Sequence, residues 1–184
     1  MAGERQNVIE DEVNKLLKAG YIKEIQYPQW LTNVVIVKKA SEKMRMYVDF
    51  QTLNRACPKD TYPLPRIDAM VDRTFEYEVM SFLDAFSGYH QIRMVKEDEE
   101  KIAFITDFGT YCYNVMPFGL KNAGATYQHV NGLRGRNLEA YVDDILVKSK
   151  SMKEHLVDLK ETLNTLRSFN LKLNPAKCTF GATS

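Results

Sequence analysis

The chain has 184 residues, enough for one sizeable core or for one domain with a smaller lobe. Its 45% hydrophobic and 27% charged residues are those of an ordinary globular protein, and no apolar run approaches a membrane span. With 25 basic and 24 acidic residues the net charge is +1, which argues against strong electrostatic capture of nucleic acid by the chain as a whole. Met1-Ala2-Gly3-Glu4-Arg5 lacks a signal peptide's apolar region. Cys57, Cys112 and Cys178 are scattered and odd in number, which points to a reducing compartment and packing roles. His90, His129 and His155 show no spacing with cysteines that would make a zinc site.

In chain order, residues 7–19 place Val8, Ile9, Val13, Leu16 and Leu17 on one helical stripe, and Gly20 is a natural stop. Trp30 reads as a core residue, with a base-stacking platform as the alternative. Residues 33–39 and 44–50 predict two strands joined by a turn at 40–43. Pro58, Pro63 and Pro65 impose an extended crossing, followed by a short helix around 67–71. A short strand, Met80-Ser81-Phe82-Leu83, ends at Asp84. Residues 101–106 and 111–116 predict a hairpin around Asp107-Phe108-Gly109-Thr110, and a small-residue helix begins near Leu120. Met152, His155, Leu156, Leu159, Leu163 and Leu166 form an amphipathic stripe, read as a helix covering a sheet with His155 at its boundary. Separated hairpins and helices indicate an α+β fold, with helices packed on one face of an antiparallel sheet.

The chemistry points to Tyr141-Val142-Asp143-Asp144. Apolar flanks at 138–140 and 145–147 predict two short strands, with the acidic pair where the chain reverses. Asp-Asp at a turn is ordinary turn chemistry in most proteins. Beside Asp84 at another strand end, however, three carboxylates can hold a pair of hard divalent cations, as in-line nucleotidyl transfer requires. The basic clusters Lys38, Lys39, Lys43 and Arg45, and Lys148, Lys150 and Lys153, read as solvated faces when taken alone.

The order of the segments is what gives the carboxylates meaning. Leu16-Leu17-Lys18-Ala19-Gly20-Tyr21-Ile22, Arg45-Met46-Tyr47-Val48-Asp49-Phe50 with Leu53-Asn54, and Tyr62-Pro63-Leu64-Pro65-Arg66-Ile67-Asp68 come first. Phe82-Leu83-Asp84-Ala85-Phe86-Ser87-Gly88-Tyr89, His90-Gln91-Ile92 and Met116-Pro117-Phe118-Gly119-Leu120-Lys121-Asn122-Ala123 follow. Tyr141-Val142-Asp143-Asp144, Leu173-Asn174-Pro175, Lys177-Cys178 and Phe180-Gly181 complete the set. In this order they resemble the reverse transcriptase of Ty3/gypsy-type long-terminal-repeat retrotransposons, the type found in plants.

The resemblance implies the fingers and palm of a right-hand polymerase. About 1–80 and 100–118 would be fingers-like with part of the palm, and 81–99 and 119–184 palm. The implied reaction is addition of deoxynucleotides to a primer 3′ end on an RNA or DNA template. Asp84, Asp143 and Asp144, with the Ala85 carbonyl, would hold two Mg²⁺ ions, with Mn²⁺ as a substitute. Lys38 and Arg45 match cations that grip the triphosphate, and Tyr89 matches a steric gate against the 2′-hydroxyl. Phe118 and Gly119 match the floor of the nucleotide pocket, and Ala123-Gly124-Ala125 lets a helix approach the template base. Lys177 lies near the motif that supplies a proton to pyrophosphate.

Two departures are visible. The stretch from His129 to Ala140 is shorter than the family pattern by about five residues, somewhat over one helical turn. It contains Gly132 and Gly135, poor helix-interior residues, and loss of that turn from the palm helix would displace either the helix's apolar stripe or the start of the catalytic strand. The chain ends at Ser184, where the family continues into the thumb and ribonuclease H, so both are expected to be absent and the remaining polyprotein domains become candidate partners. No membrane partner is implied, and the expected location is the cytoplasm, or a virus-like particle for an intact element. The alternative function is a catalytically inactive remnant that only binds nucleic acid or a protein partner.

Overall fold

The computed structural model of the chain describes residues 2–38, 42–62, 68, 72–131, 137–141 and 144–183. The chain divides into two compact units, one made of residues 1–59 and 92–123, the other of residues 60–91 and 124–184.

The first unit begins with helix α1 (Ala2–Lys18). Its stripe behaves as the spacing predicts: Val13 and Leu16 are buried, and Ile9 and Leu17 pack against the same core. Termination follows from the backbone. The Gly20 N–H donates to the Leu17 carbonyl at 2.9 Å and the Tyr21 N–H to the Leu16 carbonyl at 3.0 Å. That pair of bonds is the Schellman motif, and it needs the left-handed φ of +71° that Gly20 adopts without Cβ strain.

Strands β1 (Ile22–Glu24), β2 (Leu31–Lys38) and β3 (Met44–Val48) follow, then the short helix α2 (Gln51–Ala56). After the second unit's first segment come the one-turn helix α3 (Lys96–Glu99), β5 (Ala103–Thr106) and β6 (Gly109–Tyr113). The sheet order is β1-β6-β5-β2-β3. All its ladders are antiparallel except β2 with β5, where Leu31 pairs with Ala103 and Asn33 with Ile105 in parallel register. A parallel pair needs a long crossover, and more than sixty residues separate these strands. The core joins Val13, Leu16, Ile22, Phe50, Leu53, Ile102 and Phe104, with Trp30 packed against it as the core reading expected. Phe104 is fully buried between tilted contacts with the Tyr111 and Tyr113 rings.

The second unit holds β4 (Val79–Asp84), helix α4 from Ala123 to Asn131, β7 (Leu138–Tyr141), β8 (Asp144–Ser149), helix α5 (Met152–Ser168) and β9 (Thr179–Thr183). Its sheet is antiparallel throughout, in the order β7-β8-β4-β9. Of the helix expected around 67–71 only Asp68 is described, and most of the shortened connection, residues 132–136, lies outside the described residues. Downstream of that connection the register is continuous: Tyr141 pairs with Asp144, and Asp144 with Asp84.

Helix α5 corrects the expected stripe. Its buried residues are His155, Asp158, Thr162 and Leu166, whereas Leu156 is 64% exposed and Met152 and Leu163 are also exposed. His155 is therefore not a boundary residue; it is 2% exposed. Apolar period alone cannot select the buried face when the sheet beneath offers hydroxyls. Ser81 of β4 and Ser149 of β8 do so here. The helix ends as α1 does, with Asn170 (φ +55°) in the glycine position and the Leu171 N–H donating to the Leu166 carbonyl at 2.9 Å.

Candidate active site

β4 alternates between two environments. Val79, Ser81 and Leu83 face the buried side, leaving Met80, Phe82 and Asp84 on the other. β8 does the same, with Ile145, Val147 and Ser149 buried and Asp144 exposed. Helix α5 covers the buried side. Asp84 and Asp144 are direct partners in the β4–β8 ladder. Paired residues share a face, with Cα atoms about 4.5–5.5 Å apart, so both carboxylates belong to the open side of the sheet. Tyr141 pairs with Asp144 from the other flank, and Val142 and Asp143 lie outside the described residues.

The buried side fixes these strands with a directional chain of hydrogen bonds. The Gly181 N–H donates to Ser81 Oγ at 3.0 Å, and Ser81 Oγ lies 2.7 Å from His155 Nε2. His155 Nδ1 lies 3.0 Å from Ser149 Oγ, which donates to Asp158 Oδ2 at 2.6 Å. Ser149 spends its hydrogen on Asp158, so it accepts from Nδ1–H; Nε2 is then the bare nitrogen that takes the Ser81 hydroxyl hydrogen. The bookkeeping closes only for a neutral imidazole. Burial, only partly opposed by Asp158, also holds the His155 pKa below its ordinary value.

Asp84 is held from its downstream side by residues 172–178. Its carbonyl accepts the Asn174 N–H at 2.9 Å, its N–H reaches Cys178 Sγ at 3.5 Å, and its Oδ2 lies 3.2 Å from Lys177 Nζ. Ala85 bridges Leu173, and the Phe86 N–H donates to the Lys172 carbonyl. The turn after Asp84 places Ser87 at φ +53°, and the Ala85 carbonyl accepts the Gly88 N–H at 3.4 Å. Gln91 closes this turn: its amide nitrogen donates to the carbonyls of Phe86 (2.7 Å) and Lys172 (3.0 Å), and its oxygen accepts the Lys172 N–H at 2.6 Å.

Asp84 and Asp144 offer only oxygen donors, which suits a hard divalent cation that keeps part of its water shell. The Ala85 carbonyl retains a second lone pair. Among the described residues there is no cluster of three or more His, Cys, Asp or Glu side chains able to hold a metal by itself. The third carboxylate of the expected set, Asp143, lies outside them. The donors present fit magnesium.

The expected nucleotide-binding residues fall in both units. In the second, Tyr89 is half-buried on the 3₁₀ turn Gly88–Gln91, its ring edge-on to the buried Tyr127 at 5.7 Å. In the first, Arg45 pairs with Val37 and Lys38 with Met44 at the end of the β2–β3 hairpin. Alternation places Arg45 and Lys38 on opposite faces, and Lys38 Nζ lies 3.0 Å from Glu42. Phe118 is exposed beside the buried Met116 and Pro117. Gly119 has φ +98°, a conformation that favours glycine, and its carbonyl accepts from Asn54 Nδ2 at 2.8 Å. Asn54 Oδ1 also accepts the Lys121 N–H at 2.8 Å, so α2 supports this loop from both sides.

Asn54 and Gln91 are support residues that sequence reasoning left without a role. Their presence in the ordered segments was the available signal, but partners 65 and 81 positions away are not readable from spacing. Lys148 needs correcting too. It is not on a solvated basic face: it is buried, 3.1 Å from Glu139 Oε1, donates to the Arg73 carbonyl at 3.1 Å, and lies 4.8 Å over the Tyr77 ring.

Comparison with known proteins identifies the family and the fold. A family model described as "Reverse transcriptase (RNA-dependent DNA polymerase)" matches residues 36–184. The Transposon Tf2-3 polyprotein of Schizosaccharomyces pombe is 37% identical over 181 residues, and the Tf2-7 polyprotein is 36% identical; each match covers 96% of this chain and 14% of the relative. The chain thus spans about one seventh of the length of those Ty3/gypsy-type polyproteins. In fold it resembles a foamy viral protease-reverse transcriptase in complex with double-stranded DNA (TM-score 0.86, 21% identity, 97% of this chain and 32% of that one). It also resembles the same viral enzyme with an RNA/DNA hybrid (TM-score 0.84, 19% identity, 96% and 24%). With these matches across most of its length, the chain belongs to the reverse transcriptase (RNA-dependent DNA polymerase) family.

Proposed function

We propose that this chain carries the polymerase step of a retroelement, adding deoxynucleotides to a primer 3′ end on an RNA or DNA template. The observation that carries this reading is the pairing of Asp84 with Asp144 on the open side of the second unit's sheet. Two Mg²⁺ ions, or Mn²⁺ in their place, would be held by Asp84, Asp143 and Asp144 with the Ala85 carbonyl. Once bound, they supply activation of the primer hydroxyl and charge stabilisation at the leaving pyrophosphate.

The chain's own residues bind and select. About 1–80 and 100–118 read as fingers with part of the palm, and 81–99 and 119–184 as palm. Arg45 grips the triphosphate with the bidentate geometry open to a guanidinium, and Lys38, on the opposite face of the hairpin, must release Glu42 and swing round the hairpin end to join it. Tyr89, braced by Tyr127, excludes a 2′-hydroxyl. Phe118 and Gly119 form the floor on which the base rests, and the Asn54 bonds keep that loop from shifting. The other polyprotein domains, thumb and ribonuclease H, are the protein partners, and the setting is the cytoplasm or a virus-like particle. Among the described residues no helix is long and apolar enough to cross a membrane.

Primer extension on an RNA template with magnesium and deoxynucleotides tests the proposal, beside the Asp143→Asn/Asp144→Asn double variant. Extension by the native chain, reduced by roughly 10²–10³ or more in the variant, is the expected result. A native chain that is folded by circular dichroism and binds a labelled RNA–DNA hybrid without extending it would favour the binding-only remnant.

A further inference from the structure

We propose that Lys177 is the counter-ion of Asp84 in the metal-free protein, and that it competes with the divalent cation for that carboxylate and leaves when the cation arrives. The inference rests on the reading of Asp84 as a metal ligand. It starts from the 3.2 Å contact between Lys177 Nζ and Asp84 Oδ2.

The backbone that carries Lys177 is fixed beside Asp84. The 3₁₀ turn Pro175–Lys177 begins with a proline that presets φ, and the Lys177 N–H donates to the Asn174 carbonyl at 3.0 Å. On either side of that turn, Asn174 and Cys178 bond the Asp84 carbonyl and N–H, and the Cys178 thiol also donates to the Asn174 carbonyl at 3.2 Å. The ammonium is therefore delivered to this carboxylate by the main chain, although its stem is free to move.

Charge supplies the reason for the contact. Asp84 faces Asp144 across one ladder position, and two carboxylates so placed repel each other. One ammonium on Asp84 offsets that repulsion. It does so weakly enough to yield, because the Lys177 side chain is 65% exposed while that of Asp84 is 19% exposed. A divalent cation drawn to the same oxygen brings twice the charge and repels the ammonium. Lysine suits this role better than arginine, whose fork would grip the carboxylate through two bonds.

The test is Mn²⁺ binding to the full chain without nucleic acid, followed by the electron paramagnetic resonance signal of free Mn²⁺. Circular dichroism verifies that each variant is folded. Lys177→Met should bind Mn²⁺ about fivefold more tightly than the native chain, Lys177→Gln should do likewise, and Lys177→Arg should bind no more tightly than native. A merely structural lysine would leave affinity unchanged or lower it. Asp84→Asn should lose the binding. Unchanged or weaker affinity in both neutral variants, with Asp84→Asn still impaired, would overturn the Lys177 inference and leave the polymerase reading standing. Binding by Asp84→Asn equal to native would overturn both, whereas no binding by any of these proteins would overturn the Lys177 inference alone, because such a cation also takes ligands from substrate phosphates.

Discussion

Helices α1 and α5 are each seventeen residues long and end in the same left-handed motif, yet different chemistry holds them in place. α1 is held by Val13, Leu16 and their apolar neighbours. α5 is held largely by His155 and Asp158, bonded to serines on β4 and β8, with Leu166 the buried apolar anchor. Apolar contact is non-directional and tolerates small slips; a hydrogen-bond chain with one consistent set of donors does not. The directional attachment occurs beneath the strands whose ends carry Asp84 and Asp144. An error of about 1 Å at a reacting centre can cost on the order of a hundredfold in rate. Position matters more than raw stability there.

That contrast is open to test. The largest effect is expected in the apolar unit: Phe104→Ala removes a fully buried ring and should lower stability by about 3–5 kcal/mol in urea unfolding. His155→Ala should cost less, roughly 1–3 kcal/mol in all, because Ser149 keeps its bond to Asp158 and Ser81 its bond from the Gly181 N–H. It should also change the pH response. Burial lowers the folded-state pKa of His155 below its ordinary 6.5, so as pH falls through that value the unfolded chain takes up a proton that the folded chain refuses. The native protein should therefore lose stability between about pH 7 and the lowered value, by at most about 1.4 kcal/mol per pH unit. Urea midpoints at pH 7.5, 6.5 and 5.5 should show this slope in native protein and in Phe104→Ala, and a flatter profile in His155→Ala. An equal slope in all three would remove the histidine from the account. The smallest effects belong to the helix ends. Gly20→Ala should cost about 1 kcal/mol, because a Cβ is strained at φ +71°. Asn170→Gly should change stability by less than about 0.5 kcal/mol, since asparagine already tolerates that conformation.

The same contrast explains what was legible in the sequence. The α1 stripe announced its own buried face because apolar residues were the ones that packed. The strand ending at Asp84 was readable from its boundary, and the reversal at Tyr141–Asp144 from its apolar flanks. α5 was readable as a helix but not in its orientation, because Leu156 lies in solvent and Thr162 does not. Its choice of face depends on Ser81, 74 residues from His155. Lys148 was misread for a related reason: its partner Glu139 lies across the hairpin, and nothing in a run of lysines reveals that one is buried. Polar burial is decided by tertiary partners, and a residue's own type argues against it.

Gln91 has a consequence of another kind. Its side-chain amide engages both the N–H and the carbonyl of Lys172, as a neighbouring residue in an antiparallel ladder would. It thus acts as one residue's worth of strand supplied by a side chain, next to the Ala85–Leu173 bridge. Without it the Lys172 carbonyl would keep the Phe86 N–H, but the Lys172 N–H would be an open donor on which an unrelated chain could build. The amide closes that position without adding a strand, so the backbone beside the first aspartate is shielded from mispairing while the face that carries its carboxylate stays open.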